Sequence, residues 1–237
     1  MHDITIPHRI IALMQERNRL FEYPVETIEA AIRNYGFRCT YCAACCTRRI
    51  NSHVFLLEKD VETARKIDPS CIEPAPGPEF CDQDGMFYVS GYALKKKPAD
   101  GNSCWFLDGN LCRIYDRRFS VCRIYPHMLR PVTDRQGRMT WQQFAREGKH
   151  GEYRKPVSPD ECRALAREIL EYENAFLNQQ IAFLEAVHEY FCIHNLYHDQ
   201  EMYARQLHKA LQGDPVEVMV YHDGSLEKNW CAYTGLQ

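Results

Sequence analysis

Apolar residues fall at helical spacing at both ends of the chain and thin out into short, turn-bounded runs in the middle. Ile10, Leu13, Met14, Leu20 and Phe21 predict a first helix. Pro24 opens a second one through Ile28, Ala31 and Ile32, and Gly36 stops it. Val54–Leu57 reads as a strand and Glu58–Ile67 as a polar helix, and the proline- and glycine-rich stretch 68–85 reads as a loop. Phe87–Leu94 is strand-like, and a turn at Asp100-Gly101-Asn102 folds it back on Cys104–Leu107. Asp108-Gly109-Asn110 is a further turn.

Ser158, Pro159 and Glu161 form a strong helix start, with a serine cap, proline in the first helical position and glutamate three residues after the cap. No glycine or proline follows until Gly213. Leu165, Ile169, Tyr172, Phe176, Phe183, Val187 and Tyr190 make one stripe, widened by Leu170, Leu177, Ile181, Leu184 and Phe191. One long helix over 159–196 is expected, spanning the domain or facing a protein partner. Pro215–Tyr221 alternates like a strand, and Asp223-Gly224 is a turn. The expectation is an α+β fold, mainly helical, in a single domain over 1–237. A turn-rich core with small β elements (36–157) carries the chemistry, and helical flanks (1–35 and 158–237) pack on it.

The chain has 237 residues, 45% hydrophobic and 26% charged, enough to bury a core. A net charge of -3 leaves no basic footprint for nucleic acid. No apolar run approaches the roughly 18 residues of a membrane span, and the opening residues show no leader. A cytoplasmic protein with no membrane and no nucleic-acid partner is expected. In a reducing cytosol its 12 cysteines point to metal rather than to disulfides.

Four of them crowd into Cys39-Thr40-Tyr41-Cys42-Ala43-Ala44-Cys45-Cys46, a C-x2-C-x2-C-C pattern. Thiolates are soft ligands, and a two-residue gap lets two sulfurs meet one metal atom. Neighbouring side chains usually diverge, so Cys45 and Cys46 suggest a centre with more than one metal atom. Cys104, Cys112 and Cys122 bring the candidates to seven. An iron–sulfur cluster is preferred and zinc is the alternative. Arg118 and Arg123 lie within the motif, where they would offset thiolate charge or form ordinary ion pairs. His188 and Cys192, and His194 and His198, have chelating spacing but no accompanying carboxylate, and surface or core roles are expected. Cys192 and Cys231 read as small apolar groups, and Cys71 and Cys81 as structural or incidental, with capping of the site as the alternative.

Together, C-x2-C-x2-C-C, C-x-F-L-D at Cys104–Asp108, C-x-I-Y-D-x-R at Cys112–Arg118 and C-R-I-Y-P at Cys122–Pro126 resemble the cysteine-cluster family (CxxCxxCC, YkgJ type) of zinc- or iron-chelating proteins. The resemblance covers about 36–131. It implies that all seven cysteines serve one metal centre, and because the family includes flagellin lysine-N-methylases it implies methyl transfer as one candidate chemistry. The chain departs from the pattern twice. Phe119 follows Arg118 where the family usually has proline, and Ala145–Gly151 lacks a further family cysteine. Either the centre uses seven thiolates, or His150 or Cys162 substitutes as the extra ligand. Two functions stay open. One is an enzyme or redox protein, and the other is a non-catalytic zinc module for structure, metal carriage or interaction.

Overall fold

The computed structural model describes residues 5–47, 50, 52–99, 102–133, 139–144 and 150–232. In chain order its elements are α1 (Ile6–Phe21), α2 (Val25–Tyr35), β1 (Phe55–Leu56), α3 (Glu58–Ile67), β2 (Ile72–Pro74), β3 (Phe80–Cys81), β4 (Phe87–Val89) and β5 (Tyr92–Leu94). There follow β6 (Leu107–Asp108), β7 (Leu111–Cys112), α4 (Ser120–Ile124), β8 (Met128–Thr133), β9 (Met139–Phe144), α5 (Pro159–His194), α6 (Gln200–Leu211), β10 (Val216–His222) and β11 (Ser225–Cys231). The fold is mixed α+β with helix in excess of strand, 48% to 22%. Among the described residues, no helix is long and apolar enough to cross a membrane. The chain divides into two compact units, one of residues 1–11, 53–105 and 179–237 and the other of 12–52 and 106–178. The expected 36–157 core is therefore shared between them.

The first unit is built on two sheets. One runs β11-β10-β4-β3 and the other β1-β5-β2. β10 and β11 form a hairpin about Asp223 and Gly224, whose φ values of 46° and 74° are both positive, as a two-residue turn twisted to match its strands requires. β4 joins β10 in parallel, with Val218 opposite Phe87. The strand-like run 87–94 is in fact two strands in different sheets. Gln179 of α5 donates to the Ser90 carbonyl at 3.0 Å, and a Cβ on Gly91 would stand 2.6 Å from the same amide nitrogen. The chain bends there around the glutamine. The stretch read as loop, 68–85, contributes β2 and β3. α6 was hidden in the sequence by the absence of any breaker. α5 stops at His194, Asn195 takes φ 55°, and the Asp199 carboxylate then caps α6 by accepting from the Met202 N–H at 2.8 Å.

The second unit carries most of the cysteines. α2 ends at Gly36, whose left-handed backbone (φ 51°) places its N–H on the Ile32 carbonyl at 2.8 Å. β6 and β7 form the hairpin expected at Asp108-Gly109-Asn110. β8 and β9 form a second hairpin that the sequence pattern did not show. At the start of α5 the capping box is complete. Ser158 N–H donates to Glu161 Oε2 at 2.9 Å, and Glu161 N–H donates to Ser158 Oγ at 3.3 Å. The apolar stripe of α5 is largely buried, including Ile169, Tyr172, Leu177, Ile181, Phe183, Leu184, Val187 and Phe191.

Candidate metal centre

The cysteine loop hangs from a backbone clamp. Arg38 and Glu152 pair in antiparallel fashion, with N–H···O distances of 2.8 and 2.9 Å, and Lys155 N–H reaches the Gly36 carbonyl at 2.9 Å. Two glycines permit the approach. A Cβ on Gly36 would stand 2.2 Å from the Lys155 carbonyl oxygen, and one on Gly151 would stand 2.4 Å from the Phe37 ring. Cys39 therefore leaves the clamp in a fixed direction.

The loop then winds tightly. Tyr41 and Ala43 both hold left-handed backbone, at φ 54° and 58°, a conformation that costs a non-glycine residue about 1–2 kcal/mol. A 3-10 turn over Ala44–Cys46 follows, closed by Cys46 N–H on the Ala43 carbonyl at 2.9 Å. The turn brings the sulfurs of Cys45 and Cys46 to 3.9 Å. Neighbouring cysteines were expected to diverge, and here they converge. Sulfurs sharing one tetrahedral metal at 2.3 Å stand about 3.8 Å apart, so the pair has the right spacing to face a single ion.

Electrostatics tie the loop to the later cysteines. The Ala44 N–H leads in pulling the exposed Cys42 thiol down; burial opposes it, and the Gly151 N–H and Thr40 hydroxyl assist. Such donors stabilise the thiolate, the form that binds metal. Cys46 lowers the neighbouring Cys45 thiol, against burial and the like charges of Cys122, Cys39 and Cys42. Burial raises the Cys112 thiol; Cys46 adds to the rise, while the Ile114 N–H, Arg118 and Arg113 ease it. Six of the seven predicted cysteines, at 39, 42, 45, 46, 112 and 122, thus gather in one unit and feel one another's charge.

Arg118 does not reach for a sulfur with a hydrogen bond. Its guanidinium lies over the Tyr115 ring at 4.0 Å and donates to the Tyr115 carbonyl at 3.1 Å and the Cys122 carbonyl at 3.5 Å. Burial, and then the adjacent Cys39 thiol, raise the Tyr115 hydroxyl to about 12 against the pull of Arg118. Tyr115 stays protonated and donates to Cys39. Arg123 instead pairs with Glu168 at 3.4 Å and donates to the Arg118 carbonyl at 2.7 Å, so it braces the motif's backbone. Phe119 takes φ -60° and ψ 156°, angles a proline would also adopt, so the departure from the family pattern leaves the backbone unchanged.

The remaining candidates fall elsewhere. Cys104 belongs to the first unit, where it pairs with Lys96 across a β-bridge and its charge reaches the fully buried Cys71. His150 is buried among Phe37, Tyr125 and Tyr153, with ring centroids 5.7, 5.2 and 6.2 Å away. Cys162 is fully buried on α5. His188, Cys192 and His194 are exposed, and His198 meets the backbone of Cys81 at 3.1 Å. Asp100 and Gly101 of the expected turn, and residues 145–149, lie outside the described residues. No disulfide joins any of the twelve cysteines. Among the described residues, no group of three or more His, Cys, Asp or Glu side chains is already closed to chelating distance. The donors nevertheless fit a thiophilic metal in kind, being thiols supported by N–H, hydroxyl and cationic neighbours. Sequence reasoning missed Thr40, Arg113 and Gly151 as supports; a glycine one residue past His150 was the only visible hint of a close approach.

No curated protein and no solved structure matches the chain. A family model does, over residues 38–150, the span from the clamp through the four-cysteine loop to the buried histidine. Its description is "Putative zinc- or iron-chelating domain". Over those residues the chain is similar to the CxxCxxCC family.

Proposed function

We propose that the chain is a metal-binding protein with a multinuclear centre, preferably an iron–sulfur cluster, held by Cys39, Cys42, Cys45, Cys46, Cys112 and Cys122. The 3.9 Å approach of the Cys45 and Cys46 sulfurs, within a set of six mutually charged thiols, carries this reading. Six thiolates exceed the four that one tetrahedral ion takes, so a second metal atom accounts for the surplus. Bound there, the cluster would supply one-electron chemistry, and redox or methyl transfer is the enzymatic form of the proposal. The protein's own residues support and orient the thiols: Ala44, Gly151 and Thr40 favour the Cys42 thiolate, Tyr115 donates to Cys39, and Arg113 and Arg118 partly offset the burial of Cys112. A reducing cytoplasm is the compartment this reading implies. A protein partner would meet exposed Ile193 and Tyr197, since the stripe of α5 is buried.

The exposure of Cys42 favours a second reading, a non-catalytic zinc module that holds or hands over its metal. A visible spectrum of anaerobically purified protein, with elemental analysis, separates the two. Brown protein with iron and sulfide supports the first reading. Colourless protein with zinc in whole-number ratio replaces it with the second.

A further inference from the structure

The sulfurs of Cys45 and Cys46, 3.9 Å apart, can also bond to each other when no metal lies between them. Sequence neighbours seldom do so, because their side chains diverge and the bond closes a small ring that contains a peptide link. Here the backbone has already made the turn. Tyr41 and Ala43 hold left-handed backbone, and the 3-10 turn over Ala44–Cys46 is closed by the Cys46 N–H on the Ala43 carbonyl at 2.9 Å. Only the two side chains and the peptide link between them have to adjust; no distant segment moves. Both thiols are half-buried, within reach of a small oxidant, whereas Cys71 and Cys162 are fully buried.

We infer that Cys45 and Cys46 form a reversible vicinal disulfide that controls how much metal the loop takes up. The inference rests on the proposed centre and adds its regulation. The oxidant is a low-molecular-weight disulfide such as oxidised glutathione. The Cys45 sulfur attacks one of its sulfurs, the glutathione S–S bond breaks, and one glutathione leaves with the proton that Cys45 gave up. The Cys46 sulfur then loses its proton and attacks the Cys45 sulfur, and the second glutathione leaves as a thiol. One small disulfide is reduced to two thiols, and two protein thiols are oxidised to one disulfide. Strain in so small a ring makes the bond easy to reduce again, which suits a switch rather than a staple. Closure withdraws two of the six thiols of the second unit. Cys39, Cys42, Cys112 and Cys122 remain, the number that one tetrahedral ion takes. Oxidation therefore turns a site for more than one metal atom into a site for one at most.

The test uses the full-length protein, reduced, freed of metal by a chelator and equilibrated with oxidised glutathione. Iodoacetamide blocks the free thiols in denaturant, the disulfides are then reduced, and N-ethylmaleimide marks the cysteines that were oxidised. Tandem mass spectrometry is expected to place the mark on Cys45 and Cys46 together. Cys46→Ser, which cannot complete the second step, should instead retain glutathione on Cys45. Zinc bound by the oxidised wild type should be half or less of that bound by the reduced protein, and dithiothreitol should restore it. A mark on Cys39 and Cys42 instead, or no mark at all, in a protein whose reduced form binds zinc overturns the inference and leaves the metal centre standing. Equal zinc in the two forms, with the mark in place, overturns the control of loading. A reduced protein that binds no zinc overturns the proposed centre and its control together, which sets that failure apart.

Discussion

The Arg118 guanidinium lies 4.0 Å from the centroid of the Tyr115 ring, and the Tyr115 hydroxyl bonds the Cys39 sulfur. The cation holds the ring, and the ring holds the thiol. Outer partners of this kind are worth about 10–100-fold in metal affinity. Tyr115→Phe and Arg118→Met are each expected to weaken metal retention by that order in a chelator competition. Arg123→Met serves as the contrast. It removes a half-exposed pair with Glu168 and a bond to a carbonyl, and should cost about 1 kcal/mol of stability or less with metal affinity unchanged. Equal metal loss in Arg118→Met and Arg123→Met would remove the special role of Arg118.

The proposed centre uses both Cys45 and Cys46, whose sulfurs stand 3.9 Å apart. Cys45→Ser and Cys46→Ser should each reduce bound metal by at least half, measured by elemental analysis after gel filtration. Cys192→Ser, on an exposed stretch of α5, should leave the metal content as it is. Full metal in both loop variants would mean that the close sulfurs are incidental.

Gly36 and Gly109 both have left-handed backbone, at φ 51° and 55°, but only Gly36 is crowded. Gly109→Ala carries the conformational cost alone, about 1–2 kcal/mol. Gly36→Ala adds a collision with the Lys155 backbone at 2.2 Å, and should lose about 3 kcal/mol or more in denaturant unfolding. Equal losses would show that the clamp yields.

Two buried groups should leave a signature in the pH dependence of stability. Burial raises the Glu173 carboxyl to about 7, with a partial offset from the Leu129 N–H at 3.3 Å. Between its unfolded value near 4.5 and about 7 the native state holds the extra proton, so stability falls as pH rises. Burial lowers His127 to about 4 from 6.5. There the unfolded state holds the extra proton, and stability rises with pH. The two effects oppose each other between about pH 4.5 and 6.5 in the wild type. Glu173→Gln removes the first, so its unfolding free energy should climb more steeply over that window than that of the wild type. Parallel curves for the two proteins would contradict the assignment.

Local signals in the sequence were reliable where a single residue forces the backbone. Gly36 stopped α2, Ser158 and Glu161 started α5, and Asp223-Gly224 turned β10 into β11. Signals failed where the cause lay elsewhere in the chain. The run 87–94 splits because Gln179 takes the Ser90 carbonyl, which no local pattern reveals. The end of α5 was readable in principle from Asn195, a residue tolerant of left-handed backbone. At the site, the identity of the cysteines was legible but their convergence was not. It depends on positive φ at Tyr41 and Ala43, residues that carry no turn signature. The division of the motif at Trp105 and Phe106, which puts Cys104 in a different unit from the other six, was equally invisible.

X-ray absorption at the metal edge of the purified protein tests the central claim most directly. The account predicts a coordination shell dominated by sulfur at about 2.3 Å, diminished in Cys46→Ser and in Cys112→Ser alike, because thiols from both stretches of the second unit share the metal. A shell of nitrogen and oxygen without sulfur, or a sulfur shell unchanged when Cys112 is replaced, would contradict it.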